Sequence, residues 1–221
     1  MRTEIVRCVY CSNNPGMTQD HVPPKSFFPR PRPSDLITVP CCQQCNQGAG
    51  KDEEFFLATF MFSEAGATPA GKQLWAEKLD RTYQKNLGLR KTIARVLSHK
   101  QVWTPTGLYL GRHMTIKIDH PRLERVVEKI VRGLYYHEYG NSLPSNTEVM
   151  TLFLNTDAKF HAAQQHFPEF GTGTRMWPGI FEYNRKRVLE SPEQSMWLMR
   201  FYSWAYFWAI TGDDTTEPVD G

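Results

Sequence analysis

Four of the five cysteines form two C-x-x-C pairs, Cys8-Val9-Tyr10-Cys11 and Cys42-Gln43-Gln44-Cys45, and all five lie before residue 46. Two residues between thiolates let both sulfurs of a tight turn reach one ion, and two such pairs complete a tetrahedral four-thiolate shell around zinc. A closed shell leaves no open coordination position, so such an ion is structural. The surrounding segment is punctuated by Pro15-Gly16, Pro23, Pro24, Pro29, Pro31, Pro33 and Pro40. A loop-rich stretch of about 50 residues buries little apolar surface by itself, and metal binding would supply the missing folding free energy. Cys41 competes for the same role, but only Cys42 keeps the two-residue spacing to Cys45. Cys41 therefore reads as a packed side chain or a spare thiol. Buried or redox-active cysteines are the alternative reading of the whole set.

A disulfide scaffold would spread its cysteines along the chain and would follow a secretory signal. The N-terminus MRTEIVRCVY has no apolar core of the kind a signal peptide needs. The stretch 196–210 is apolar but contains Arg200 and is shorter than the roughly 20 residues that cross a bilayer. The expectation is a cytoplasmic protein with no membrane segment. Apolar residues at 40% and aromatics at 13% suffice for a packed core, and 22% charged residues exclude a largely disordered chain. The net charge of +3 is accounted for by residues 1–51, where six basic side chains face three acidic ones. Such a patch would raise local affinity for a phosphate backbone; three stray surface charges are the bland reading.

Beyond residue 51 the pattern changes from loops to periodic structure. Residues 52–62 read as a helix, with Asp52 and Glu53 well placed at its start. Residues 69–86 repeat Leu74, Trp75, Leu79 and Tyr83 at helical spacing, and residues 108–118 alternate as a half-buried strand. The segment 120–139 opens with Pro121 and gathers Leu123, Val126, Val127, Ile130, Val131 and Leu134 on one face. Arg122, Arg125, Lys129 and Arg132 fall mostly on the opposite face, which reads as a solvated helix surface before a DNA contact. Residues 149–154 form a short apolar strand, and 196–210, apolar on both faces, suit central strands. All six tryptophans follow residue 70, which puts the expected main core in the C-terminal three quarters. The fold class is α+β, divided into an N-terminal module (1–62), a mixed C-terminal region (63–211) and an acidic tail (212–221) expected to be disordered.

Between the cysteine pairs lie Asp20-His21-Val22-Pro23-Pro24-Lys25-Ser26 and Ser34-Asp35-Leu36-Ile37-Thr38-Val39-Pro40, and the second pair runs directly into Asn46. The order C-x-x-C, D-H-x-x-P-K-S, short apolar strand, C-x-x-C-N resembles the zinc-containing HNH endonucleases over roughly residues 5–62. The resemblance implies a ββα-metal fold. It also implies His21 as general base and Mg²⁺ or Mn²⁺ held by Asp20 and Asn46, with DNA as the nucleic-acid substrate. A neutral imidazole suits a base near pH 7, and hard oxygen ligands suit magnesium or manganese. Lys25 would touch a phosphate as a point charge. Where the family usually has Asn, this chain has Asp35, which would hold His21 and raise its pKa through its charge. A lysine that often follows the last cysteine pair closely is displaced to Lys51.

Read without the resemblance, each residue has a plainer role. His21 could be a strand-end packing residue or a zinc ligand, and Asn46 could cap a helix or turn. Adjacent strand residues point to opposite faces, so Asp20 and His21 converge only if the strand ends there. The corresponding alternative function is a non-catalytic zinc-dependent module that binds nucleic acid or a protein.

Overall fold

The computed structural model describes residues 6–154, 157–166 and 175–212. The acidic tail, from Asp213 onward, lies outside the described residues. Strands β1 (Thr18–Val22) and β2 (Ile37–Cys41) pair antiparallel, with Asp20 opposite Val39 and His21 opposite Thr38. A 3₁₀ turn at Lys25–Phe27 lies in their connection. Helix α1 (Gln43–Gly48) follows β2 at once, capped by the Cys42 sulfur, and α2 (Gly50–Met61) continues from it with Asp52 and Glu53 in its first turn.

Four short helices come next: α3 (Glu64–Ala67), α4 (Pro69–Leu74), α5 (Asp80–Lys85) and α6 (Leu87–Val96), with a π-helical segment at Trp75–Leu79 joining α4 to α5. Strands β3 (Leu97–Trp103) and β4 (Tyr109–Ile116) form a separate two-stranded ribbon. The expected half-burial of this segment is found only at its end: Ile116 and Ile118 are partly buried, whereas Leu108, Leu110 and Met114 are exposed, because among the described residues no layer packs on either face of the ribbon there.

Helix α7 (His120–Tyr139) begins with Asp119 accepting from the Arg122 N–H and with Pro121 in its first turn. It ends at Gly140, whose φ of 73° is the left-handed turn that glycine adopts without a Cβ clash. Strands β5 (Val149–Leu154), β6 (Arg175–Trp177), β7 (Phe181–Arg187), β8 (Ser195–Phe201) and β9 (Ala205–Thr211) build one antiparallel sheet, in the order β5-β9-β8-β7-β6. Helix α8 (Asp157–Gln164) follows β5. The apolar run 196–210 thus becomes β8 and β9, both interior strands, as continuous apolar character requires. Among the described residues no helix is long and apolar enough to cross a membrane.

The apolar core is not confined to the C-terminal three quarters. One buried cluster runs from Val9, Val22, Phe27, Phe28 and Val39 through Phe56 and Phe60 to Phe201 and Phe207. Phe27 stacks on Phe56 at 5.2 Å, Phe28 meets Trp177 edge-on at 5.5 Å, and buried Tyr202 donates its hydroxyl to the Phe27 carbonyl at 3.0 Å. The connection between β1 and β2 is therefore sewn into the large sheet by aromatic side chains, each burying about 150–250 Å². The N-terminal segment obtains from distant strands the apolar burial its own length cannot supply.

The basic stripe of α7 is also largely withdrawn from solvent, with Arg125 alone of its four residues exposed. Arg122 and Arg125 each reach Asp52 at 2.7 Å, and Lys129 lies 2.7 Å from both Asp20 and Glu53. Arg132, only 6% exposed, pairs with Glu128 and donates to the carbonyls of Pro144 and Thr147. The polar side of α7 packs against carboxylates of β1 and α2, which helical periodicity alone does not reveal.

Candidate functional site

The first cysteine pair sits in a tight turn, where the Cys8 carbonyl accepts from the Ser12 N–H and the Cys8 N–H reaches the Asn14 carbonyl. The second straddles the start of α1. The sulfurs of Cys8, Cys11, Cys42 and Cys45 all lie within 4.8 Å of one another, with Cys11 and Cys42 at 4.0 Å. Zinc–sulfur bonds of about 2.3 Å at tetrahedral angles put sulfurs roughly 3.8 Å apart, so the four thiols fit a metal ion. Among the described residues they are the one group of three or more Cys, His, Asp and Glu side chains close enough to do so. The Cys45 N–H donating to the Cys42 sulfur, as an N-cap, lowers that thiol to about 6, while burial raises the thiol of Cys45 itself. Cys41 stands apart: it is fully buried, opposite Thr18 in the β-ladder, with its sulfur 3.2 Å from the Thr18 hydroxyl.

Asp20 and His21 are successive residues within β1, and β1 continues to Val22, so their side chains leave opposite faces of the strand. Asp20 turns inward and is 8% exposed. Its Oδ2 accepts from the Tyr10 hydroxyl at 2.9 Å and lies 2.7 Å from Lys129 Nζ, while Oδ1 accepts from the His21 N–H at 3.0 Å. Both oxygens are thus already engaged, and a divalent ion would have to displace the ammonium to bind there. The Asp20 carboxylate as arranged does not fit that ion. Asn46, on α1, donates its amide to the Thr18 hydroxyl at 3.1 Å and the Gln19 carbonyl at 3.3 Å, tying α1 to β1.

His21 is half-buried, with exposed Lys25 and Arg32 as its neighbouring cations. The Arg32 Nε donates to the Lys25 carbonyl at 2.9 Å, which gathers the two charges beside the ring. Burial first, and Lys25 second, hold the imidazole below its ordinary 6.5; Asp20 opposes them and Arg32 adds to them. The expected upward shift from Asp35 is corrected by this balance, since the cations and desolvation decide the direction. Asp35 Oδ1 instead accepts from Trp177 Nε1 at 3.0 Å, across to β6. Lys51 offers its carbonyl to Arg122 at 2.7 Å.

Sequence reasoning missed Tyr10, Glu53 and Lys129. Their signal is weak in one dimension, because each stands on a different element and only the packed chain brings them to Asp20. Compared with known protein families, curated proteins and solved structures, the chain matches none.

Proposed function

We propose that this chain is an endonuclease of the HNH type, hydrolysing phosphodiester bonds of DNA with His21 as general base and with zinc as a structural ion at Cys8, Cys11, Cys42 and Cys45. The observation that carries the reading is the His21 ring itself: half-buried, with its pKa lowered by desolvation and Lys25, and flanked by two cations suited to a phosphate. In this reading the imidazole takes a proton from water and the hydroxide attacks phosphorus. The bond to the 3′ oxygen then breaks, and that oxygen leaves, taking its proton from solvent water. Such base assistance is typically worth about 10²- to 10⁴-fold. Lys25 and Arg32 offset the charge building on the phosphate oxygens. The Mg²⁺ or Mn²⁺ that the resemblance implies at Asp20 and Asn46 would compete with Lys129, and no step here is routed through it.

That same ion pair favours a second reading, a zinc-dependent nucleic-acid-binding module in which Asp20 is structural. Nicking of supercoiled plasmid, with Mg²⁺ or Mn²⁺ added, separates the two. The nuclease reading expects cleavage by the wild type and its loss in His21→Ala with zinc content retained. Equal faint nicking by both proteins would favour the binding module.

A further inference from the structure

Over residues 52–221 the basic and acidic side chains cancel, yet the charges are sharply segregated. Between Asp80 and Asp119 there is no acidic residue and there are eight basic ones. Lys100, Arg112 and Lys117 belong to the β3–β4 ribbon and its base, and the other five stand on α5 and α6. All eight are exposed, and among the described residues none takes part in an ion pair.

Among the described residues, the ribbon is held only at its base. Val96 and Leu97 pack on a small cluster of Phe55, Ala58, Leu89 and Ile93, which fastens it to α2, the helix next to α1. Beyond that point both faces are open, and an isolated two-stranded hairpin is marginal in water by itself. At its far end Gly107, at φ 85°, makes the turn, and Gly111, at φ 106°, lies where the register slips beside Trp103. There Trp103 and Tyr109 meet at 4.6 Å between ring centroids, 55% and 47% exposed.

The register distributes the cations evenly. Lys100 pairs with His113 on one face, while Arg112, opposite Gln101, shares the other face with His99. A ribbon that lay flat on an anionic surface would need one charged face. A ribbon inserted into a groove meets phosphates on both sides and needs cations on both.

We infer that the β3–β4 ribbon is a DNA-binding arm that enters the major groove of a duplex, with Lys100 and Arg112 contacting phosphates of the two opposing strands. Seven residues at about 3.3 Å each give an arm of roughly 23 Å. The major groove, about 12 Å wide, admits a two-stranded ribbon. The inference rests on the nucleic-acid substrate proposed above and names the element that holds it.

The test is fluorescence anisotropy of the full-length, zinc-loaded chain with a labelled duplex of about 30 base pairs and with its single strand, without added Mg²⁺ or Mn²⁺. Each phosphate contact contributes about −0.9 to the slope of log affinity against log salt. Lys100→Ala/Arg112→Ala should therefore flatten the duplex slope by about 2 and weaken binding about 10- to 100-fold near 0.1 M salt. The charge-preserving Lys100→Arg/Arg112→Lys should bind as the wild type does. Duplex binding unchanged in the alanine pair, an equal loss on single strand and duplex, or no duplex binding by the wild type would each overturn the inference. His21→Ala keeps the two proposals apart. If it cleaves like the wild type while the alanine pair loses duplex binding, the arm stands and the nuclease reading falls. If it loses cleavage while the alanine pair binds normally, the reverse holds.

Discussion

Lys129 on α7 lies 2.7 Å from Asp20 on β1, and the same ammonium is 2.7 Å from Glu53 on α2. The three side chains are 11–15% exposed, and Tyr10 closes the group from the first cysteine turn through its hydroxyl on Asp20. Burial disfavours the Lys129 ammonium, yet Glu53 and Asp20 more than offset that cost and raise its pKa. Glu53 is raised by its own burial against the pull of Lys129. One cation thus joins three elements of the fold beneath the strand that carries His21.

Removing that cation strands two buried carboxylates. Lys129→Met should cost about 3–5 kcal/mol at pH 7, the range for an uncompensated buried charge. Acid should shrink the penalty, because the orphaned carboxyls can then take up protons. Urea unfolding at pH 7 and at pH 5 checks this. A loss below about 1 kcal/mol at pH 7 would show that the cluster does not hold the elements together.

The cysteine geometry separates two neighbours. Elemental analysis should find about one zinc per chain in the wild type and in Cys41→Ser, and little in Cys42→Ser. Loss of Cys42 should also lower thermal stability sharply, since binding a structural zinc is part of the folding free energy. Retention of metal by Cys42→Ser with its loss from Cys41→Ser would reverse the ligand assignment.

If His21 is the base, the pH profile follows from its surroundings. A base works deprotonated, so kcat/KM should rise with pH, with its midpoint below 6.5, and level off by neutral pH. Lys25→Met removes the second-largest cause of the depressed pKa and should move the midpoint upward. The linkage has a definite sign. The unfolded chain protonates His21 before the folded one does, so folded stability falls as pH drops from about 6.5 to the folded pKa, and no further from this group below it. A wild-type midpoint above 6.5 would be incompatible with this environment.

The backbone of α7 approaches β1 so closely at Gly133 that an added Cβ would stand 2.5 Å from Val22 Cγ2. Alanine gains up to about 1 kcal/mol in helix propensity, but overpacking a buried site costs about 1–3 kcal/mol. Gly133→Ala should be net destabilising by up to about 2 kcal/mol. Adding Val22→Ala should relieve the clash, so the pair should cost less than the sum of the single variants. Strict additivity in chemical denaturation would refute the close packing.

Much of the secondary structure was legible in one dimension. The helix at 120–139 and the strand at 149–154 were readable because apolar spacing and flanking residues are local, and Pro121 and Gly140 mark the ends of α7 in the chain itself. The two C-x-x-C pairs were equally legible, since their spacing encodes a turn. Periodicity identifies the polar side of a helix, but not whether that side meets water or carboxylates. The pairing of Arg122, Arg125 and Lys129 with Asp52, Asp20 and Glu53 was therefore decided only by packing. The direction of the His21 shift likewise depends on burial first and then on Lys25, rather than on Asp35, because a pKa responds to distance and desolvation. Only one strand of the ribbon was legible: residues 108–118 alternate, whereas Ser98, His99, Lys100 and Gln101 lack the apolar alternation that marks a strand. Along most of its length the ribbon has no layer to pack on among the described residues, so β3 carries no hydrophobic signature, and whether the alternation of β4 meets a core or water was decided only by the tertiary structure.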